Sequence, residues 1–185
     1  MEYRRAHRIL AGTLLLSALL ICGPLFARAN DGEKKNYNND QVTVSWTDPA
    51  QFTEAKYGRQ FRQPEPEIWL TDFQKLLVRR ASAVLKAGEH LDVSITNVKL
   101  AGQVEPFHGS GATDVRVIKS IYPPEINLSF TLTGSDGQVL ASGDRKLRDL
   151  AFLDRGSASR SEAYRFERRL LEDWVSTEFG KRSNR

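Results

Sequence analysis

The run Arg145-Lys146-Leu147-Arg148-Asp149 sets three cations beside a carboxylate in one short stretch. Such a cluster either receives an anionic partner through forked, charge-assisted hydrogen bonds or closes on itself as ion pairs. Glu105, His108 and Asp114 offer a second chemistry, because an imidazole and two carboxylates are donors that a divalent metal accepts. Their spacing follows neither a helical nor a turn-fixed ligand pattern, so ordinary loop polarity is the expected reading and a metal site the lesser alternative. Gly109-Ser110-Gly111 resembles part of a nucleophile elbow, but its surroundings lack the strand-to-helix turn that would strain and expose the serine. No Lys-Ser or Lys-Thr stands directly after these glycines, which leaves them without the cation of a phosphate-binding loop. The sequence therefore points to no catalytic residue and to no cofactor.

Arg116 and Lys119 lie upstream, shortly before Tyr122-Pro123-Pro124. With Lys146 and Arg148 they could line one sheet edge as a cationic strip, suited to a lipid headgroup or an acidic partner. Tyr122 would then either dock a peptide or cap the core. The candidate binding set is Arg116, Lys119, Tyr122, Arg145, Lys146, Arg148 and Asp149. The competing reading is mixed surface charge, in which each pair contributes little.

The strands that carry these residues decide between the readings. Ile126, Leu128, Phe130 and Leu132 alternate with Asn127, Ser129, Thr131 and Thr133, which makes a strand with one apolar face. Asp136-Gly137 supplies a turn, and the chain returns through Gln138 to Leu147 as the second arm of a hairpin. In that register Val139, Ala141, Gly143, Arg145 and Leu147 share a face. Arg145 would then point to the apolar side and need a carboxylate there, from Asp149, Asp48 or Asp114, whereas a local bulge would turn it to solvent. In the structural version of this expectation, Arg145, Arg148 and Asp149 form one ion-pair cluster.

The remaining elements follow from periodicity. Val42, Val44 and Trp46 form a short first strand ended by Thr47-Asp48-Pro49. Leu70, Phe73, Leu77, Ala81 and Val84 predict a helix from Pro66 or Glu67 to Lys86, with Gly88 as its cap. Leu91, Val93 and Ile95 alternate, but Val98 and Leu100 change parity, which requires a bulge near Thr96 or Asn97. Val115 to Ile121 reads as an extended edge segment that Pro123-Pro124 ends. Ser159-x-x-Glu162 reads as a capping box opening a last helix, which Gly180 stops. Two amphipathic helices on one face of a mostly antiparallel sheet of four or five strands make an α+β two-layer sandwich. Trp46, Trp69 and Trp174 each lie in an element with an apolar face, which predicts a shared core.

Arg4, Arg5 and Arg8 precede an apolar run from Ile9 to Ile21, and Ala27-Arg28-Ala29 is a small-x-small cleavage site. Residues 1–29 read as a secretory signal peptide, and the run is shorter than the roughly 20 residues of a membrane-spanning helix. No membrane span is expected after cleavage. Ile21 is too bulky to favour lipid anchoring at Cys22, so the expected address is the periplasm. Residues 30–40 read as a flexible polar lead-in, 41–180 as one α+β domain and 181–185 as a disordered tail. The leader holds four of the 27 basic and one of the 23 acidic residues, so the mature chain carries +1 rather than +4. That balance and the exported address argue against nucleic acid as a partner.

Several of these motifs occur together elsewhere. VTVSWTDPAQFT, the AG-x-x-EP of Ala101 to Pro106, DVRVIKSIYPPEINLSF, RKLRDL and the closing LLEDW resemble the domain of unknown function 3016 family of exported bacterial envelope proteins. The resemblance runs from Val42 to Phe179. It implies one exported domain, and it implies no activity, cofactor or catalytic residue. The expectation is a non-catalytic binding or interaction module of the cell envelope, with a protein, glycan or lipid headgroup as partner. A hydrolase or metal-dependent enzyme using the 102–114 loop is the alternative.

Overall fold

Alternation of apolar and polar side chains sets the architecture. The computed structural model describes residues 36–58, 65–105, 116–155 and 162–180. In chain order the elements are β1 (Val42–Trp46), a 3-10 turn (Pro49–Gln51), α1 (Thr53–Gly58), α2 (Pro66–Ser82), β2 (His90–Lys99), β3 (Gln103–Val104), β4 (Arg116–Val117), β5 (Glu125–Thr133), β6 (Val139–Arg148) and α3 (Arg165–Phe179). β1, β2, β5 and β6 form an open four-stranded sheet in the order β1-β2-β5-β6. β1 runs parallel to β2, which the helical crossover through α1 and α2 allows, and the other neighbours are antiparallel.

Ile126, Leu128, Phe130 and Leu132 of β5 are all buried, and the residues between them are half-exposed. β2 needs one extra residue to do the same. Its register against β5 shifts between Ile95 and Asn97, and the bulge keeps Leu91, Val93, Ile95 and Val98 all buried. Asn97 then points its carboxamide at the start of α1, where Oδ1 accepts from the Thr53 amide at 2.7 Å. Trp69, Leu70 and Phe73 of α2 and Leu171, Trp174 and Phe179 of α3 join the buried strand residues in one hydrophobic cluster. Phe130 meets Trp174 at 5.7 Å and Phe179 at 5.6 Å, both edge-on, a geometry that adds about 1 kcal/mol per pair to the area buried. Trp46 is partly buried and packs against the same cluster, so the three tryptophans share it.

Several boundaries depart from the periodicity. α2 ends at Ser82 rather than Lys86, because the amides of Val84 and Leu85 both return to the Ala81 carbonyl and tighten the chain into a turn. Gly88, instead of capping the helix, lies in the connection to β2 with a positive φ of 80°. α3 begins at Arg165, so Glu162 stands outside the helix that a capping box would have opened; Ser159 lies outside the described residues. Tyr164 takes the left-handed conformation and packs its ring edge-on to Phe73 at 6.1 Å, while Arg168 Nε holds Glu162 at 2.9 Å. The expected edge strand contributes only β4, which pairs with β3 as a separate ribbon instead of joining the sheet.

The two edges of the sheet differ. Parallel pairing with β2 turns the backbone groups of Val42 and Val44 outward. Asn39 Oδ1 accepts from the Val42 amide at 2.7 Å, and Asn38 Oδ1 accepts from the Val44 amide at 2.8 Å. Gln74, a buried residue of α2, donates through Nε2 to the Val44 carbonyl at 3.2 Å and to Asn38 Oδ1 at 2.9 Å. Residues 36–40, which composition assigns to a flexible lead-in, thus include side chains that imitate a neighbouring strand. β6, at the other edge, has no strand beyond it among the described residues. Gln74→Leu should remove the donor that satisfies Val44 and lower stability by about 1–3 kcal/mol. Urea unfolding measures that loss, and faster amide exchange at Val42 and Val44 should accompany it.

Candidate functional site: the groove between β6 and α3

Strand alternation places Arg145 on the half-buried side of β6 with Ala141, Gly143 and Leu147. Its guanidinium lies over the Phe130 ring, 4.9 Å from the centroid. Gly143 stands opposite Phe130 and makes the room, since a Cβ there would fall 2.9 Å from Arg145 Nη1. Glu178 of α3 accepts from Nε at 2.8 Å and from Nη2 at 2.7 Å, and Nη1 donates to the Asp144 carbonyl at 3.0 Å. Arg145 is therefore inward and paired. Its carboxylate is Glu178, not Asp149 or Asp48, because α3 rather than a strand end faces β6 here; Asp114 lies outside the described residues. Arg148 pairs across the hairpin with Glu125 at 3.2 Å, and Asp149 lies 3.7 Å from Arg155. The expected cluster of Arg145, Arg148 and Asp149 thus resolves into three pairs with other residues.

Arg145, Lys146, Arg148 and Asp149 nevertheless border one open groove of about 430 Å³. α3 supplies the facing wall through Leu170, Asp173, Trp174, Thr177 and Glu178, whose spacing of three and four is a single helical face. Arg155 reaches across to Asp173 at 2.7 Å. Lys146 forms no ion pair among the described residues. Trp174 is 5% exposed, and its Nε1 has no acceptor within hydrogen-bonding geometry. The hydrogen bonds from Arg145 hold the Glu178 carboxyl below its ordinary range, and the nearby indole N–H lowers it further. The groove combines carboxylate-paired guanidiniums with, among the described residues, one ammonium that has no ion pair, and Leu147 and Leu170 complete the lining. This arrangement can receive negative charge at the rim that Lys146 and Arg148 form, and its described lining residues include no histidine, cysteine or serine.

The other candidates lie on the β3–β4 ribbon. Arg116 pairs with Glu54 and donates through Nη1 to the carbonyls of Ala101 at 3.3 Å and Gly102 at 3.1 Å. Gly102 has a φ of 82°, and a Cβ there would fall 2.7 Å from the Val117 carbonyl oxygen, so only glycine fits. Lys119 Nζ reaches both oxygens of Glu105 at 2.7 Å, and the Tyr122 hydroxyl donates to Oε1 at 3.1 Å. The Glu105 hydrogen bond raises the pKa of both Lys119 and Tyr122. Arg116 and Lys119 are thus committed to carboxylates instead of continuing a strip with Lys146 and Arg148. Of the possible metal donors, Glu105 is engaged in this way, while His108 and Asp114 lie outside the described residues. Among the described residues no metal-holding group of His, Cys, Asp and Glu occurs, and no helix is long and apolar enough to cross a membrane.

Sequence reasoning missed Arg155, Asp173, Thr177 and Glu178. The usable signal was the helical offset of Asp173, Thr177 and Glu178 from Trp174, which places them along the border of the apolar stripe.

Fold and groove together define an α+β domain with an open, mostly antiparallel four-stranded sheet and a charged groove along one edge. The chain belongs to the family described as protein of unknown function (DUF3016), which matches residues 40–177. No curated protein matches it.

Arg145→Met should leave the Glu178 carboxylate unpaired and lower stability by about 1–2 kcal/mol, with a coupling of about 1 kcal/mol to Glu178→Gln in a double-mutant cycle. Because the folded pKa of Glu178 is depressed, this contribution is present above the unfolded carboxyl pKa and lost as pH falls through the folded one. Glu167 has the opposite sign. Burial raises its pKa, while its Oε1 accepts from the Ala101 amide at 2.6 Å. Its contribution is full below the unfolded carboxyl pKa and erodes as pH rises through the folded one. Glu167→Gln should remove that erosion, and urea midpoints followed from acid to neutral pH test both signs.

Proposed function

We propose that this protein is a non-catalytic binding module of the bacterial cell envelope, exported to the periplasm, with the β6–α3 groove as its binding surface. The observation that carries the reading is the convergence of Arg145, Lys146, Arg148 and Asp149 on one open groove, where Lys146 has no ion pair among the described residues. Guanidiniums anchored by carboxylates favour recognition, because their orientation is fixed before a ligand arrives. The same reading takes α2 and α3 as a helical layer on one face of the sheet, so that α3 forms the wall facing β6. The partner is a protein, glycan or lipid headgroup of the envelope.

A photo-crosslinker placed at Thr177 or Arg155 in intact cells should form adducts with an envelope component, and one placed at the distant Gln51 should not. Equal labelling from all three positions, or none from the groove, would count against the module. Recovery of the protein in the cytoplasmic fraction would count against the address.

A further inference from the structure

The surplus bonding capacity at this end of the sheet is larger than the groove alone. β6 is a ten-residue edge strand, so the backbone donors and acceptors facing away from β5 have no strand partner among the described residues. The same chain closes its other edge with Asn38, Asn39 and Gln74. No proline interrupts β6, and exposed apolar residues mark its two ends: Val139 and Leu140 at the start, Leu150 and Leu153 just beyond the finish. The groove runs beside the strand on the Arg145 and Leu147 side, and Trp174 lies in its wall.

We propose that β6 receives an extended polypeptide segment as a fifth strand, acidic on the side chains that face Lys146 and Arg148 and apolar on those that enter the groove. This rests on the binding-module reading and names the partner class. Added strands gain affinity from main-chain hydrogen bonds and specificity from alternate side chains. Period-two alternation puts every second side chain of the guest over Leu147, Leu170 and Trp174. The intervening side chains meet Lys146, which has no ion pair among the described residues, and Arg148, whose link to Glu125 is on the exposed face. Charge also argues against a second copy as the occupant. Antiparallel self-pairing over this half of β6 would bring Arg145, Lys146 and Arg148 of two chains together, and like charges opposite one another destabilise a strand pair.

The test uses the protein with fluorescent peptides of about six residues, alternating valine with glutamate or valine with lysine. The glutamate peptide should bind and slow amide exchange within Val139–Arg148. Methylating alternate peptide nitrogens should weaken it by about tenfold or more, because the ladder loses its donors. Lys146→Glu with Arg148→Glu, both on the exposed face, should reverse the preference towards the lysine peptide. Binding without β6 protection, an unreversed preference or no binding of either peptide would overturn the proposal. So would a concentration-dependent dimer that itself protects β6. Envelope adducts at Thr177 without slowed β6 exchange overturn strand addition and leave the module standing; absence of the adducts overturns both.

Discussion

A sheet with one apolar face must keep that face continuous through every strand, and in β2 this is achieved by a single bulge at Thr96. Much of the structure hangs from it. The bulge keeps Ile95 and Val98 both inward, and Asn97 beside it starts α1 through the Thr53 amide. The next residue of α1, Glu54, is buried, accepts from the Leu100 amide at 2.9 Å and holds Arg116. Arg116 fastens β4 to the carbonyls that lead into β3, and Glu167 of α3 takes the Ala101 amide between them. Two buried carboxylates and a guanidinium therefore satisfy the backbone where β2 gives way to the ribbon, which is the point where sheet hydrogen bonding stops.

The sheet ends are handled in opposite ways, and the difference is a matter of backbone accounting. An outward amide or carbonyl beside buried apolar residues needs a partner or water. At β1 three carboxamides supply partners at fixed distances. At β6 the side chains instead project charge, which discourages indiscriminate pairing while leaving the ladder itself open.

Much of this was legible in the residues. The β5 alternation and the parity change in β2 follow from period two alone, and the structure holds both; for Arg145 period two left an inward place and a bulge to solvent open, and the structure takes the inward one. The partner of Arg145 was not legible, because Glu178 is 33 residues away and its approach depends on how α3 meets β6. Local propensity misled where tertiary contacts were stronger. Tyr164 packs its ring edge-on to Phe73 and the last helix starts after it, at Arg165, and Arg116 is drawn to Glu54 and away from the sheet edge. The asparagines of residues 36–40 read as disorder by composition and act as backbone substitutes by position.

Arg145 raises a final question of economy. An aliphatic residue could cover Phe130 with no desolvated charge, and replacing a partly buried ion pair by apolar side chains is often neutral or stabilising. The chain instead keeps an arginine there, opens space for it with Gly143 and aligns Glu178 against it. On the proposed reading the arrangement serves a groove that discriminates by charge, because an arginine held by Phe130, Glu178 and the Asp144 carbonyl keeps one geometry before a guest arrives, whereas the exposed Lys146 supplies an adjustable contact. On the same reading, the rigid and mobile cations divide the work: Arg145 fixes where the groove lies, and Lys146 with Arg148 selects the sign of the guest side chains on the exposed face.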